Sequence, residues 1–471
     1  MLAIVLATAK TTICSFPPVC VSPKFKDQSM YLDVLRSITR ASLLAVCALA
    51  VNLAASNSQG DDGVKPPPAG FKALFNGKDF EGWHGRPHLD PRTWADTPAA
   101  KRDEWNKDMQ AHWSIKDGVL INDGFGAYLS TNAEYGDIEL FIDYKTVPKA
   151  DSGIYLRGTP QVQIWDSTEE AKFNIGANKG SGALWNNSAG AAGKDPLVLA
   201  DKPFGEWNTL RIVQTGARTS VWLNGKQVVD HAIMENYFDR AAPLFAKGVI
   251  QLQTHGGEIQ WRNLFVREIG AEEANKWLRD HSQGDFTALF NGKDLSNWKG
   301  ETNNYEIVDG AIQCKSGHGG VLHTEKEYSD FTARLEFQVP EGGNNGLAIR
   351  YPGKGDTAYV GMCELQVLDN TSPKYAKLDP RQYHGSAYGI IAAKLGYQRP
   401  VGQWNYQEVT VKGSTIRVEL NGTVILDGDV SKVSEYMANS PHPGKDRKSG
   451  YFGFAGHNDP VRFRAVDILA H

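Results

Sequence analysis

The sequence predicts an all-β protein: two tandem sandwiches or jelly rolls joined by a short helix. Three observations carry this expectation. A heptapeptide occurs twice, as Ala73-Leu74-Phe75-Asn76-Gly77-Lys78-Asp79 and as Ala288-Leu289-Phe290-Asn291-Gly292-Lys293-Asp294. Short stretches of alternating polar and apolar residues recur along the chain, the pattern of half-buried strands. Gly, Asn and Asp turns separate these stretches, and helical patterning is nearly absent.

Length allows roughly two to three domains at about 150 residues each. A hydrophobic content of 41% with 22% charged residues belongs to a folded globular chain rather than a disordered one. The formal net charge of −4 gives no global basic field, which argues against nucleic acid or an anionic membrane as partner. The 48 Gly and 12 Trp favour Gly-rich turns, β structure and aromatic faces suited to sugars.

Residues 1–60 read as a leader rather than as part of the fold. Arg36 and Arg40 precede an apolar run from Ala41 to Val51, and the small residues Ala54, Ala55 and Ser56 follow. This is the order of a secretory signal. The run is short of the roughly 20 apolar residues that span a bilayer, so no membrane span is expected in the mature protein. Met1 to Ser29 fits the pattern poorly, which makes Met30 a candidate start. The expected location is exported, either periplasmic or extracellular. Cys14, Cys20 and Cys47 fall in the leader, leaving Cys314 and Cys363, which an oxidising compartment would allow to pair. Residues 61–69 contain Pro66-Pro67-Pro68, a stiff extended linker.

The first unit is assigned to 70–270 and the second to 284–471, with 271–283 as a helical linker. The repeat has a period of roughly 200 residues, which marks a domain duplication and not a solenoid. Trp83 and Trp298 follow the two heptapeptides. Trp113-Ser114-Ile115-Lys116-Asp117-Gly118 matches Tyr305-Glu306-Ile307-Val308-Asp309-Gly310. Gly205-Glu206-Trp207-Asn208 matches Gly402-Gln403-Trp404-Asn405, and Leu223-Asn224-Gly225 matches Leu420-Asn421-Gly422, a hairpin signal. The first unit alone carries an insertion at about Arg86 to Met109, expected to be a loop with a short helix. Ala271 to His281 places acids in its first turn and Arg and His in its last, as the helix dipole favours.

The candidate site lies where the two copies run Ser152-Gly153-Ile154-Tyr155-Leu156-Arg157 then Gln161-Val162-Gln163-Ile164-Trp165-Asp166, and Asn345-Gly346-Leu347-Ala348-Ile349-Arg350 then Glu364-Leu365-Gln366-Val367-Leu368-Asp369. Alternation puts the polar set of each strand pair on one face. Arg350, Glu364 and Gln366 are expected to line one concave face. Gly456-His457-Asn458-Asp459-Pro460 and its counterpart His255 close each repeat.

These ordered motifs, occurring twice, resemble the 3-keto-disaccharide hydrolase domain family, long known only as a domain of unknown function. The resemblance implies a concanavalin-like lectin/glucanase jelly roll for each unit. It also implies cleavage of 3-keto-glycosides: elimination of the C1 aglycone, hydration of the resulting 3-keto-2-hydroxyglucal, or both. Such chemistry needs a base for the C2 proton, a donor for the enolate oxygen and an acid for the leaving group. On that reading Glu364 or His457 is the base and Arg350 stabilises the enolate. Gln366, Asp369, His384 and Tyr388 contact the sugar. In the first repeat Arg157, Gln161, Gln163, Asp166, Trp185 and His255 are the sugar-binding counterparts. Gln161 stands where the second repeat has Glu364, so the first repeat lacks that carboxylate; Asp151 and Glu258 are nearby acids that could compensate.

The expected partners are an oligosaccharide or glycoside and a separate sugar 3-dehydrogenase, since no redox-cofactor or nucleotide-phosphate fingerprint is present. No cofactor is expected. No spacing suggests a zinc site, and Ca²⁺ finds no EF-hand pattern among the many Asp and Asn. A second reading is a non-catalytic, lectin-like carbohydrate-binding protein. A third, a retaining glucanase, would want paired carboxylates, where Glu364-x-Gln366-x-x-Asp369 offers an amide in the middle and a shortened last acid.

Overall fold

The computed structural model describes residues 63–471. The proposed leader, the start at Met30 and the three leader cysteines lie outside the described residues. Four antiparallel sheets form two sandwiches, each an eight-stranded sheet facing a five-stranded one. In the second sandwich the five-stranded sheet runs Trp298–Gly300, Gly319–Tyr328, Gly450–His457, Asn344–Tyr351, Cys363–Leu368 in spatial order. The first sandwich repeats this order with Trp83–Arg86, Tyr128–Thr131, Gln251–Leu252, Asp151–Leu156 and Thr159–Trp165. The eight-stranded sheets correspond strand for strand in the same way.

The core of each sandwich lies between its two sheets. In the second, Phe331, Leu335 and Phe337 from the larger sheet meet Leu347, Leu365, Val367, Phe452 and Phe454 from the smaller. Because strand side chains alternate, every apolar residue committed to this core sends its neighbours to the opposite face. Cys314 and Cys363 are both buried free thiols, so the pairing that export would allow is not made.

The insertion in the first repeat holds a helix longer than the sequence suggests, Ala99–His112, 14 residues. Asn106 on this helix accepts from Gly85 N at 2.8 Å, fixing it to the edge strand Trp83–Arg86. The linker helix forms at Ala271–His281. Its buried Asn275 donates to Glu336 of the second sandwich at 3.2 Å, and Arg279 ion-pairs with Asp467 at 2.5 Å. Among the described residues no helix is long and apolar enough to cross a membrane.

The two sandwiches also touch directly, turn to turn. Leu420 pairs with Thr423 across a two-residue turn, Asn421-Gly422, with φ of 49° and 80°. Only Gly holds the second position of such a turn without strain. Gly422 O accepts from Ala217 N at 3.1 Å, and a Cβ on Gly422 would overlap Thr215 O. Beside it Arg218 grips Glu419 with two bonds, of 2.8 and 2.6 Å. Gly292 also has positive φ, but open space surrounds its Cβ position. Gly292→Ala is therefore expected to cost about 1–2 kcal/mol from backbone strain alone. Gly422→Ala should cost about 1–3 kcal/mol more, from overlap at the contact between sandwiches. Chemical denaturation of the two variants checks the difference.

Candidate functional site

The second repeat builds its site on the hairpin Asn344–Tyr351 and Cys363–Leu368. Gly346 pairs with Gln366 and Ala348 with Glu364. Leu347, Ile349, Cys363, Leu365 and Val367 are in the core, so Asn344, Glu364 and Gln366 face away from it. Gly346 is required there: a Cβ would overlap Glu364 Cγ, Cδ and Oε1. With none present, the Glu364 side chain lies flat across the neighbouring strand and is only 3% exposed.

Its two oxygens are separately engaged. Oε1 lies 3.2 Å from His457 Nε2, and Oε2 accepts from the Thr357 hydroxyl. Thr357 opens a single helical turn, Thr357–Val360, whose cap Asp356 accepts from Ala358 N at 3.0 Å. The Glu364 hydrogen bond and charge, with Asp356 and Asp459 farther off, hold the His457 pKa above its ordinary value despite partial burial. Gln366 donates to Asn344 Oδ1 at 2.5 Å, which leaves the Asn344 amide nitrogen free. Around these groups lies a cavity of about 330 Å³, walled by Tyr359, Tyr375, Tyr388 and Gln382 and floored by Asn344, Glu364, Gln366 and His457. Tyr388 accepts from Gln382 at 3.0 Å and keeps its own proton to donate. The cavity therefore sets a small polar floor under an aromatic wall.

The profile of the 3-keto-alpha-glucoside-1,2-lyase-like domain matches residues 70–267 and again residues 285–469. The chain belongs to this family. A curated relative, the 3-keto-disaccharide hydrolase of Bacteroides thetaiotaomicron, is 25% identical over 245 residues, spanning 43% of this chain and 84% of its own length. Two solved structures, both candidate glycosyl hydrolases of Parabacteroides distasonis, are also similar. One is 25% identical with a TM-score of 0.37, covering 40% of this chain and 100% of its own. The other is 22% identical with a TM-score of 0.34, covering 39% of this chain and 92% of its own.

In the second repeat Glu364, His457, Gln366 and Tyr388 come together as the sequence suggests. Arg350 does not join them. It has φ of 48° at a register shift between Ala348 and Tyr351, and this bulge breaks the alternation that would have turned it to the cavity. It is 1% exposed and donates to the carbonyls of Ser329, Gly413 and Arg447 and to Asp330. Asp369 is also elsewhere, capping a turn through Gly342 N, Thr371 N and the Thr371 hydroxyl. His384 is buried and stacked on Phe337 with centroids 4.8 Å apart; loss of solvent pushes its pKa down to about 3. Asp356, Thr357, Tyr359, Tyr375 and Gln382 are the members that sequence reading missed. The Asp356-Thr357 cap before a short turn was the one local signal for them.

The first repeat places its residues similarly. Arg157 is buried against Phe245 O, Gly136 O and Asp137, and Asp166 caps the turn at Thr168, so neither is on the polar face. Gln161 donates to Gln163, and Gln163 donates to Asp151 at 2.8 Å. Trp185 donates to Ile175 O at 3.0 Å and stands edge-on to Trp165. His255 Nδ1 sits 3.3 Å from Asp151 Oδ2. Among the described residues no group of three or more His, Cys, Asp or Glu is arranged to hold a metal ion.

Because the His457 pKa is raised on folding, its pairing with Glu364 adds stability that is complete below the ordinary histidine pKa and is lost as pH rises through the raised value. Glu364→Gln should bring the His457 titration down, and Gly346→Ala should do so by pushing the carboxylate aside. NMR titration of the His457 ring in both variants tests this, with the global fold unchanged by circular dichroism.

Proposed function

We propose that the second repeat cleaves 3-keto-glycosides by elimination, with the Glu364–His457 pair as its acid–base group. The observation that carries this reading is one buried carboxylate held against one half-exposed imidazole on the floor of a sugar-sized cavity. The membership of the family and the activity named for the Bacteroides relative support the substrate class.

A ketone at C3 acidifies the C2 proton. The deprotonated pair takes that proton as the C2–H electrons form the enolate. The enolate then collapses to a C1=C2 double bond, the C1–O bond breaks, and the leaving oxygen takes the proton back from the pair. The products are the free aglycone and a 3-keto-2-hydroxyglucal, to which water adds in a later step. With Arg350 committed to backbone carbonyls, the enolate oxygen is met by the Tyr388 hydroxyl and the Asn344 amide, both with protons to donate. Asn344 and Gln366 also hold hydroxyls of the ring, and Tyr359 and Tyr375 wall it in.

A 3-keto sugar must come from an oxidation that this chain has no fingerprint to perform, so a separate sugar 3-dehydrogenase acts before it. The leader pattern in residues 1–60 supports export, to the periplasm or beyond the cell.

The test is release of aglycone from a 3-keto-glucoside and from the unoxidised glucoside. Release from the 3-keto substrate alone is expected. Glu364→Gln and His457→Ala should each slow it by roughly 100-fold or more. Binding of both sugars without release of either would mark a lectin instead, and unchanged turnover in both variants would remove the pair from the chemistry.

A further inference from the structure

The first repeat lacks the counterpart of Glu364, yet it still holds a carboxylate against its histidine. The registers show how. Gly153 pairs with Gln163 as Gly346 pairs with Gln366. This sets Gln161 on Glu364 and Asp151 on Asn344. Each repeat therefore has the same four groups: one carboxylate, two side-chain amides and one histidine. The second has Glu364, Gln366, Asn344 and His457. The first has Asp151, Gln161, Gln163 and His255. Acid and amide have exchanged strands. The shared amide bond survives the exchange, since Gln163 donates to Asp151 at 2.8 Å where Gln366 donates to Asn344 at 2.5 Å.

The exchanged carboxylate is placed to orient rather than to react. Asp151 is 9% exposed and accepts from Gln163 and from Lys172, whose Nζ is 3.1 Å away. His255 faces it through Nδ1, while the side chain remains 61% exposed. That leaves Nε2 as the free ring nitrogen, the opposite one from His457, which meets Glu364 through Nε2. Trp185 stands at the same point of this hairpin as Tyr388 does in the second, since Gly182 N and Gly385 N make the same bond to Gln163 O and Gln366 O. The insertion adds His88, stacked on Tyr155 at 5.6 Å.

We propose that the first repeat is a second, independent sugar site, in which His255 Nε2 transfers the proton and Asp151 positions the ring. Its ligand class is a 3-keto sugar, and that chemistry rests on the function proposed for the second repeat. The step is proton exchange at the carbon beside the ketone. The C2–H bond breaks toward His255 Nε2, its electron pair becomes the enolate double bond, and return of a proton from the same nitrogen restores the sugar. The hydrogen bond and charge of Asp151 favour the imidazolium of His255 and raise its pKa, partial burial and Lys172 oppose it, and His255 in turn lowers the pKa of His88.

The experiment uses the full chain with the second site disabled as Glu364→Gln/His457→Ala, incubated with a 3-keto-glucoside in deuterated water. Deuterium should enter at C2, and adding His255→Ala should slow its entry by roughly 100-fold or more. Asp151→Asn should lower the His255 titration by NMR and move the pH profile of exchange with it, a shift that a purely structural role would not produce. No binding and no exchange in the disabled chain, while the intact chain releases aglycone, overturns the second site. If the intact chain releases no aglycone, it is the function proposed for the second repeat that fails. The first site is then read by titrating the disabled chain with unoxidised glucoside: saturable binding lost in Trp185→Ala and His255→Ala upholds a sugar site, and its absence overturns it.

Discussion

A buried arginine holds each sandwich together. Arg350 stands on the smaller sheet and reaches across to the turns of the larger one. It donates to Ser329 O and Gly413 O and pairs with Asp330 at 2.8 Å; Asp330 in turn accepts from Gly413 N at 2.9 Å. Arg157 does the same through Gly136 O and Asp137, and Asp137 accepts from Gly216 N at 2.8 Å. Burying a guanidinium is tolerable when its donors are met, so the sheets of the second sandwich are held at the spacing that engages all three nitrogens of Arg350; in the first, both terminal nitrogens of Arg157 are engaged and its Nε is buried without a partner. The positive φ at Arg350 and Arg157 belongs to the same device, because it turns an outward strand position inward. The cavity then lies on the opposite face of a sheet whose position is already set.

From that anchor the contacts pass outward. The Gly216 turn, tied to Asp137, is the one that meets the Asn421-Gly422 turn of the other sandwich. The linker helix adds Asn275 and Arg279 to the same junction. The cation that spaces the sheets of the first repeat is thus two contacts from the seam between the repeats.

Much of this was legible in the chain itself. The duplicated heptapeptide, the Asn-Gly turns and the period-two runs pointed to the two sandwiches, and the order of acids and bases along Ala271 to His281 pointed to the linker helix. Glu364, Gln366 and His457 followed from alternation and from comparing the copies. Arg350 misled because alternation assumes an unbroken strand, and a bulge is a backbone event that Ile349-Arg350-Tyr351 does not advertise. Asp369 and Asp166 sit one residue past their strands, where a carboxylate more often caps a turn than faces a ligand. His384 stacks in the core, which no local pattern separates from a site histidine. Tyr359, Tyr375 and Gln382 come from three separate short helical turns whose placement depends on tertiary contacts, so spacing along the chain could not gather them.

The bare Cα of Gly346 has a consequence for how such a site can change over time. With no side chain there, the space above the sheet admits the Glu364 side chain from the adjacent strand, and Gly153 keeps the same space open under Gln161, while Asp151 and Asn344 stand two residues along the glycine's own strand. Each exchange between the copies is an acid for its own amide, nearly equal in volume, so neither alters the shape of the floor. What differs is the route. If the acid on the second strand is lost first, the ancestor has a histidine with no anion. If the acid on the first strand is gained first, it has two anions around one histidine, and Lys172 beside Asp151 is the charge that would make that intermediate tolerable.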